Sequence, residues 1–141
     1  ERGRNRMANA LYGLGREGFL GGDIAFDTDN IKAALLDLTD YTPNLTTDQF
    51  LSDVPVGARV AISGNLASKT ITLGVAGAAD VTFSAVTGDE SEYILIYQDT
   101  GVEGTSRLIA LVDTATGLPV TPNGGDITVQ WDSGATKIFK L

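Results

Sequence analysis

Cysteine and histidine are both absent from the 141 residues. Without cysteine there is no disulfide, no thiolate nucleophile and no sulfur ligand for a metal. Without histidine the usual neutral-pH base and the commonest zinc ligand are missing. Positive charge is scarce: ten Lys and Arg stand against eighteen Asp and Glu, a formal charge of −8. Three of the ten, Arg2, Arg4 and Arg6, precede Met7 together with Glu1, so from Met7 onward seven basic residues face seventeen acidic ones, or −10. An acidic body repels polyphosphate, so nucleic acid is not an expected partner. No apolar run approaches the eighteen or so residues of a membrane helix and no signal-peptide pattern is visible, so no membrane partner is expected either. Met7-Ala8-Asn9 reads as a natural start, which leaves residues 1–6 as an upstream extension outside the fold reasoning.

Glycine, in contrast, is plentiful at 17 residues, and it sits in turn-forming clusters. The most strongly patterned stretch is Ser91 to Val120. Its two apolar runs, Tyr93–Tyr97 and Leu108–Val112, are separated by a polar loop holding Gly101 and Gly104. Each run is too short for a stable helix and rich in residues that suit a pleated surface. Both parities are apolar, so this is the central hairpin of a sheet, covered on both faces. Further strands are expected at Asp23–Phe26, Ile31–Leu38, Ala58–Ser63, Ser68–Val75, Asp80–Val86, Asp126–Trp131 and Thr136–Leu141. Ile71, Leu73 and Val75 should point inward on one of them, and Val81, Phe83 and Ala85 on the next. A short helix is expected from Thr46, where Thr46 and Gln49 have capping-box spacing and Pro55 ends the pattern. Residues 8–22, with four glycines before Gly22, read as an irregular arm. The expected fold is all-β: an antiparallel β-sandwich or barrel of about eight strands with an irregular N-terminal arm (1–22), one short helix and a single β domain (23–141). A chain of this length buries roughly 68% of its unfolded surface on folding.

Motifs that carry chemistry are weak. Gly13-Leu14-Gly15-Arg16-Glu17-Gly18 spells G-x-G-x-x-G, but a dinucleotide fingerprint needs a strand before it and a helix after it, and neither is evident. Asp27-Thr28-Asp29-Asn30 opens like a calcium loop, yet Lys32 and Leu38 stand where Gly and Glu are required. Asp89, Glu90 and Glu92, and Asp99 with Glu103, place acids at hairpin ends, where solvated carboxylates are common; as pairs they would permit glycoside hydrolysis. Trp131, Tyr93, Tyr97 and Phe139 could line a sugar site, though such residues more often fill a core or an interface. Asn44-Leu45-Thr46 is a glycosylation sequon by spelling. No catalytic residue, metal ligand or cofactor is assigned from these patterns.

Several stretches resemble a family of small structural proteins of tailed bacteriophages, placed among capsid decoration, or cement, proteins. They are Asp29–Leu35, Asp40–Leu45, Phe50–Pro55, Ala115–Ile127 and Trp131–Leu141. The resemblance covers nearly the whole chain from Met7 and implies a non-enzymatic virion component on the outer capsid surface. Its partner would be the major capsid protein, and its own state a homo-oligomer, taken as a trimer. The expected contact residues are Leu11, Tyr12, Leu14, Phe19 and Leu20 of the arm, with Tyr41, Leu45 and Phe50 of the loop that follows. Removing residues 1–20 should then leave a folded β domain that no longer binds capsids. A tail, fibre or adhesion module binding a host-surface carbohydrate is the alternative, and a hydrolase using the acidic pairs a third reading.

Overall fold

The computed structural model describes residues 9–135 and 137–141. Within them are ten strands and one α-helix: β1 (Asn9–Leu11), α1 (Gly13–Leu20), β2 (Ile31–Leu36), β3 (Arg59–Ile62), β4 (Thr70–Thr72), β5 (Val75–Gly77), β6 (Val81–Phe83), β7 (Tyr93–Gln98), β8 (Leu108–Val112), β9 (Ile127–Val129) and β10 (Phe139–Lys140). The all-β expectation holds, with every pairing antiparallel. Three sheets form, in the orders β1-β8-β7-β2-β3, β10-β5-β4 and β6-β9.

The expected hairpin is β7–β8, at the middle of the five-stranded sheet, and both of its faces are covered. Ile94, Ile96, Ile109 and Val112 pack on one side with the two smaller sheets, through Ala76, Phe83, Val129 and Phe139. Leu95, Tyr97, Leu108 and Leu111 pack on the other with Tyr12, Tyr41, Leu51 and Val54. Between the pairs Ile96↔Ala110 and Tyr97↔Leu108 the register shifts, leaving Ile109 as a bulge. That extra residue puts the successive side chains of Ile109 and Ala110 into the same core, as a bulge re-aims the strand it sits in. Its carbonyl accepts the Tyr12 N–H at 3.0 Å.

Four expectations are corrected. First, residues 9–20 are not an irregular arm: they form β1, paired to β8 from Asn9↔Val112 to Leu11↔Ala110, and α1. Helix α1 lies close on β8, because an added Cβ at Gly15 would stand 2.5 Å from the Leu108 carbonyl oxygen. Glycine there permits a backbone approach that a side chain forbids. Deleting residues 1–20 therefore removes an edge strand and a packed helix, so the truncated chain is not a simple test of an arm.

Second, no helix starts at Thr46. The stretch is a turn in which Asn44 Oδ1 accepts from the Thr46 and Thr47 N–H groups at 3.0 and 3.1 Å, followed by a 3-10 turn at Leu51–Asp53. The capping is done by Asp53, whose Oδ2 accepts from Gln49 N and Phe50 N at 2.8 and 3.0 Å. Third, Asp23–Phe26 is loop, not strand. Fourth, Ser68–Val75 is two strands. The turn is Leu73-Gly74, both with positive φ (51° and 82°), and Thr72 pairs directly with Val75. This is the two-residue type I′ geometry, which normally takes Asn or Asp before Gly. Leu73 consequently sits at a hairpin tip, 92% exposed, and Ile71, on the same face as Ala76 and Phe139, is left 56% exposed on the sheet edge. On β6 the inward residues are Val81, Phe83 and then Val86, because Ala85 has positive φ (49°) and turns outward.

Candidate functional site

The tertiary fold brings the C-terminal turn of α1, the 24–27 loop and the β4–β5 hairpin together around an open groove of about 510 Å³. Phe19, Ile24, Phe26, Ile71, Leu73 and Phe139 line it, with Leu141 at its edge. Its floor is aromatic: the Phe139 ring meets Phe26 edge-on at 5.6 Å between centroids and Phe19 at 5.9 Å. Strand pairing explains the two faces of the small sheet. Ile71, Ala76 and Phe139 are register partners and share the groove side, whereas Thr72, Val75 and Lys140 share the other. Strand β4 is an unpaired edge whose residues are all exposed. Holding Leu73 in the left-handed region costs about 1 kcal/mol relative to glycine, and its side chain is returned almost entirely to water.

At one end of the five-stranded sheet, where Leu36 pairs with Tyr93, three carboxyl groups meet: Asp37, Asp40 and Asp89 each offer an oxygen within 4.8 Å of the others. Asp37 is buried and accepts from the Thr39 N–H (2.9 Å) and hydroxyl (2.6 Å), which hold its carboxyl below the usual range. Asp89 is pushed up, first by sharing a hydrogen bond with Asp37 and then by that residue's charge. The expected acidic group of Asp89, Glu90 and Glu92 thus gains Asp37 and Asp40 across the strand ends. Their contribution was invisible in sequence, because strand pairing alone brings residues 50 apart together.

The remaining expected residues are engaged inside the fold. Glu92 Oε1 accepts from Leu38 N at 2.9 Å. Asp99 pairs with Lys32 at 3.0 Å, and that hydrogen bond lowers its carboxyl. Glu103 holds Arg59 at 2.9 Å, whose guanidinium also donates to the Leu51 and Val54 carbonyls; Arg59 likewise lowers Glu103. The cation-loop oxygens are used too: Asp29 Oδ2 accepts from Ala25 N (2.8 Å) and Gln98 Nε2 (2.7 Å), and its carbonyl accepts from the Lys69 ammonium. The G-x-G-x-x-G stretch does follow a strand and lie in a helix, contrary to the expectation. Its glycines are in the helix body, however, and Gly13 N donates to Leu45 O at 2.7 Å.

Of the eight expected contact residues, Tyr12 and Tyr41 are interior. The Tyr41 hydroxyl donates to Asp48 Oδ2 at 2.7 Å, so Tyr12 supplies the proton of the 2.8 Å bond between the two phenols. Burial pushes both phenols well above their ordinary range, and that of Tyr97 up to about 12. Leu11, Leu14, Phe19, Leu45 and Phe50 are half-buried in their own fold, Phe50 beneath the Arg107 guanidinium at 5.5 Å. Leu20 alone of the eight is exposed, at 85%. The aromatic set forms no shared platform. Trp131 is buried and donates to the Ala79 carbonyl at 2.9 Å, Tyr97 lies in the opposite core, and Phe139 is packed among rings. Ile71 and Leu73, expected to point inward, form the exposed rim of this groove. No local signal marked them, since a type I′ turn normally carries Asn or Asp before Gly.

Compared with known proteins, the chain matches no family model and no curated protein.

Proposed function

We propose that this chain is a non-enzymatic virion protein of the capsid decoration type, bound to the major capsid protein on the outer capsid surface as a homo-oligomer, with a trimer as the working assignment. The observation that carries the protein-docking part is the exposed apolar face of the β4–β5 hairpin beside its aromatic groove. Exposed apolar side chains at the rim of an apolar groove suit a surface that another protein covers. The capsid part rests on the sequence stretches that resemble the phage family. Decoration proteins of this sort stabilise a shell by adding buried interface between neighbouring subunits, which opposes the outward pressure of packaged DNA. A symmetric oligomer engages several equivalent shell sites together and gains avidity without new contacts.

Co-sedimentation with purified shells of the encoding phage tests this reading. The full chain is expected to pellet with shells at a fixed ratio to the capsid subunit and to raise their disruption temperature. Recovery on tails or fibres only, or no pelleting at all, rejects it. The carbohydrate alternative has no specific support from the aromatic residues, since Trp131 is interior.

A further inference from the structure

Strand β4 is the outer strand of the β10-β5-β4 sheet, and Thr70, Ile71 and Thr72 are all exposed. Other edges are guarded: β3 carries Arg59 and a register shift against β2, and β10 lies beside β1. Strand β4 has no charged residue, no proline and no register shift. The hairpin fixes which of its backbone groups stand open. Its two-residue turn closes on Thr72↔Val75, and bonded and unbonded pairs alternate along an antiparallel ladder. Thr72 therefore bonds inward to β5, and Ile71 turns its N–H and C=O to the open edge.

The two faces of this edge differ in chemistry. Ile71 is level with Ala76 and Phe139 and rims the apolar groove, where Asp27 is the one charged lining residue. The opposite face carries Thr70 and Thr72 with Lys137 and Lys140, which line a cleft of about 400 Å³ that no acidic residue borders. Lys140 is brought there by pairing with Val75, the partner of Thr72. Lys137 lies across Gly77, the partner of Thr70: a Cβ built on Gly77 would stand 3.1 Å from its Cδ. Asp80 and Asp132 share a neighbouring cleft with Lys137, yet among the described residues neither lysine forms an ion pair.

We propose that β4 is the docking edge for an extended strand of a partner protein, one that alternates apolar and acidic side chains. The strand adds beside β4 and bonds to the Ile71 N–H and C=O. Its apolar side chains fall on the Ile71 face, toward Leu73 and the groove, where Asp27 disfavours an acid. Its acidic side chains fall on the opposite face, toward Lys137 and Lys140. Successive side chains of a strand point to opposite faces, so one register satisfies both requirements. Two strand spacings, about 10 Å, separate the added strand from β5, a gap that a glutamate and the Lys137 side chain span between them. The proposal rests on the protein-docking part of the reading above and not on its capsid part.

NMR titration of the isotope-labelled full chain with a short synthetic peptide alternating valine and glutamate tests this. Shifts are expected on the amides of β4, and on Ile71 above all. The same peptide with lysine in place of glutamate should bind about tenfold more weakly, and Lys137→Glu should reverse that preference. N-methylation of the peptide amides that face β4 removes their donors and should abolish binding. Ile71→Pro should do the same from the protein side, and the methylated peptide keeps the test decisive if that variant misfolds. Absent shifts at β4, indifference to peptide charge, or undiminished binding of the methylated peptide overturns the proposal. Shifts at β4 that follow the protein's own concentration and ignore the peptide would make a second copy the occupant and overturn it as well. Peptide binding by a chain that does not pellet with shells leaves this edge standing and removes the capsid reading. Pelleting without peptide binding removes the strand addition alone.

Discussion

At the scale of single residues, the chain's polar groups act mainly as fasteners. Asp53 and Asn44 hold turns, Arg59 ties two loop carbonyls to Glu103, and the two phenols form a hydrogen-bond chain that ends on Asp48. The Asp37–Asp89 pair differs, because its members respond oppositely to the fold. Asp37 is lowered, so its contribution is present above the ordinary carboxylate range and is lost as pH falls through its folded value. Asp89 is raised, so its contribution is present at low pH and is lost as pH rises through its folded value. Above that folded value Asp89 carries a charge beside Asp37 and opposes folding. Asp89→Asn should therefore raise the melting temperature at neutral pH, and the gain should shrink as pH is lowered toward the carboxylate range. Calorimetry across that interval checks the sign. A gain that grows on acidification would contradict the assignment.

Secondary-structure elements show where local pattern and tertiary packing disagree. The glycine-rich sequence of α1 looks unsuited to a helix, since interior Gly costs about 1 kcal/mol relative to Ala. Contact with β8 reverses that judgement, because a larger residue at position 15 cannot approach the Leu108 carbonyl. Gly15→Ala should destabilise the protein by about 2 kcal/mol through overpacking. Gly18→Ala should cost less than about 1 kcal/mol, because helix propensity offsets the shift of a flexible neighbour. That neighbour is the end of the Ile24 side chain, 2.8 Å from the built Cβ. Urea unfolding of both variants checks the order. The same competition accounts for the hairpin: alternation across Lys69–Val75 implies one strand, but Leu73-Gly74 makes a turn, exposes Leu73 and leaves Ile71 on an uncovered sheet edge.

For the molecule as a whole, order should be greatest where both faces are covered. Amides of β7 and β8, buried on both sides, should exchange hydrogen at least about a hundredfold more slowly than those of the exposed edge β4. Exchange followed by NMR or mass spectrometry would test this, and equal protection would contradict a two-sided core. The stable β7–β8 pair thereby presents β4–β5 on one side and the acidic strand ends beyond it.

The sequence alone determined the all-β class, the β7–β8 hairpin with its two covered faces, and most strand positions. These rest on short-range periodicity and turn chemistry, which neighbouring residues carry between them. It also determined the absence of thiol and imidazole chemistry, which composition decides outright. Only the tertiary structure decided that residues 9–20 join the sheet, that Tyr12 and Tyr41 are interior, and that Ile71 and Leu73 are outside. It alone brought Asp37 and Asp40 to Asp89. Each of these depends on which distant segments become neighbours, and a local pattern holds no record of that choice. The central hairpin announced itself in the sequence because it is buried twice; the surface proposed for docking did not, because it arises only when separate loops and strands meet.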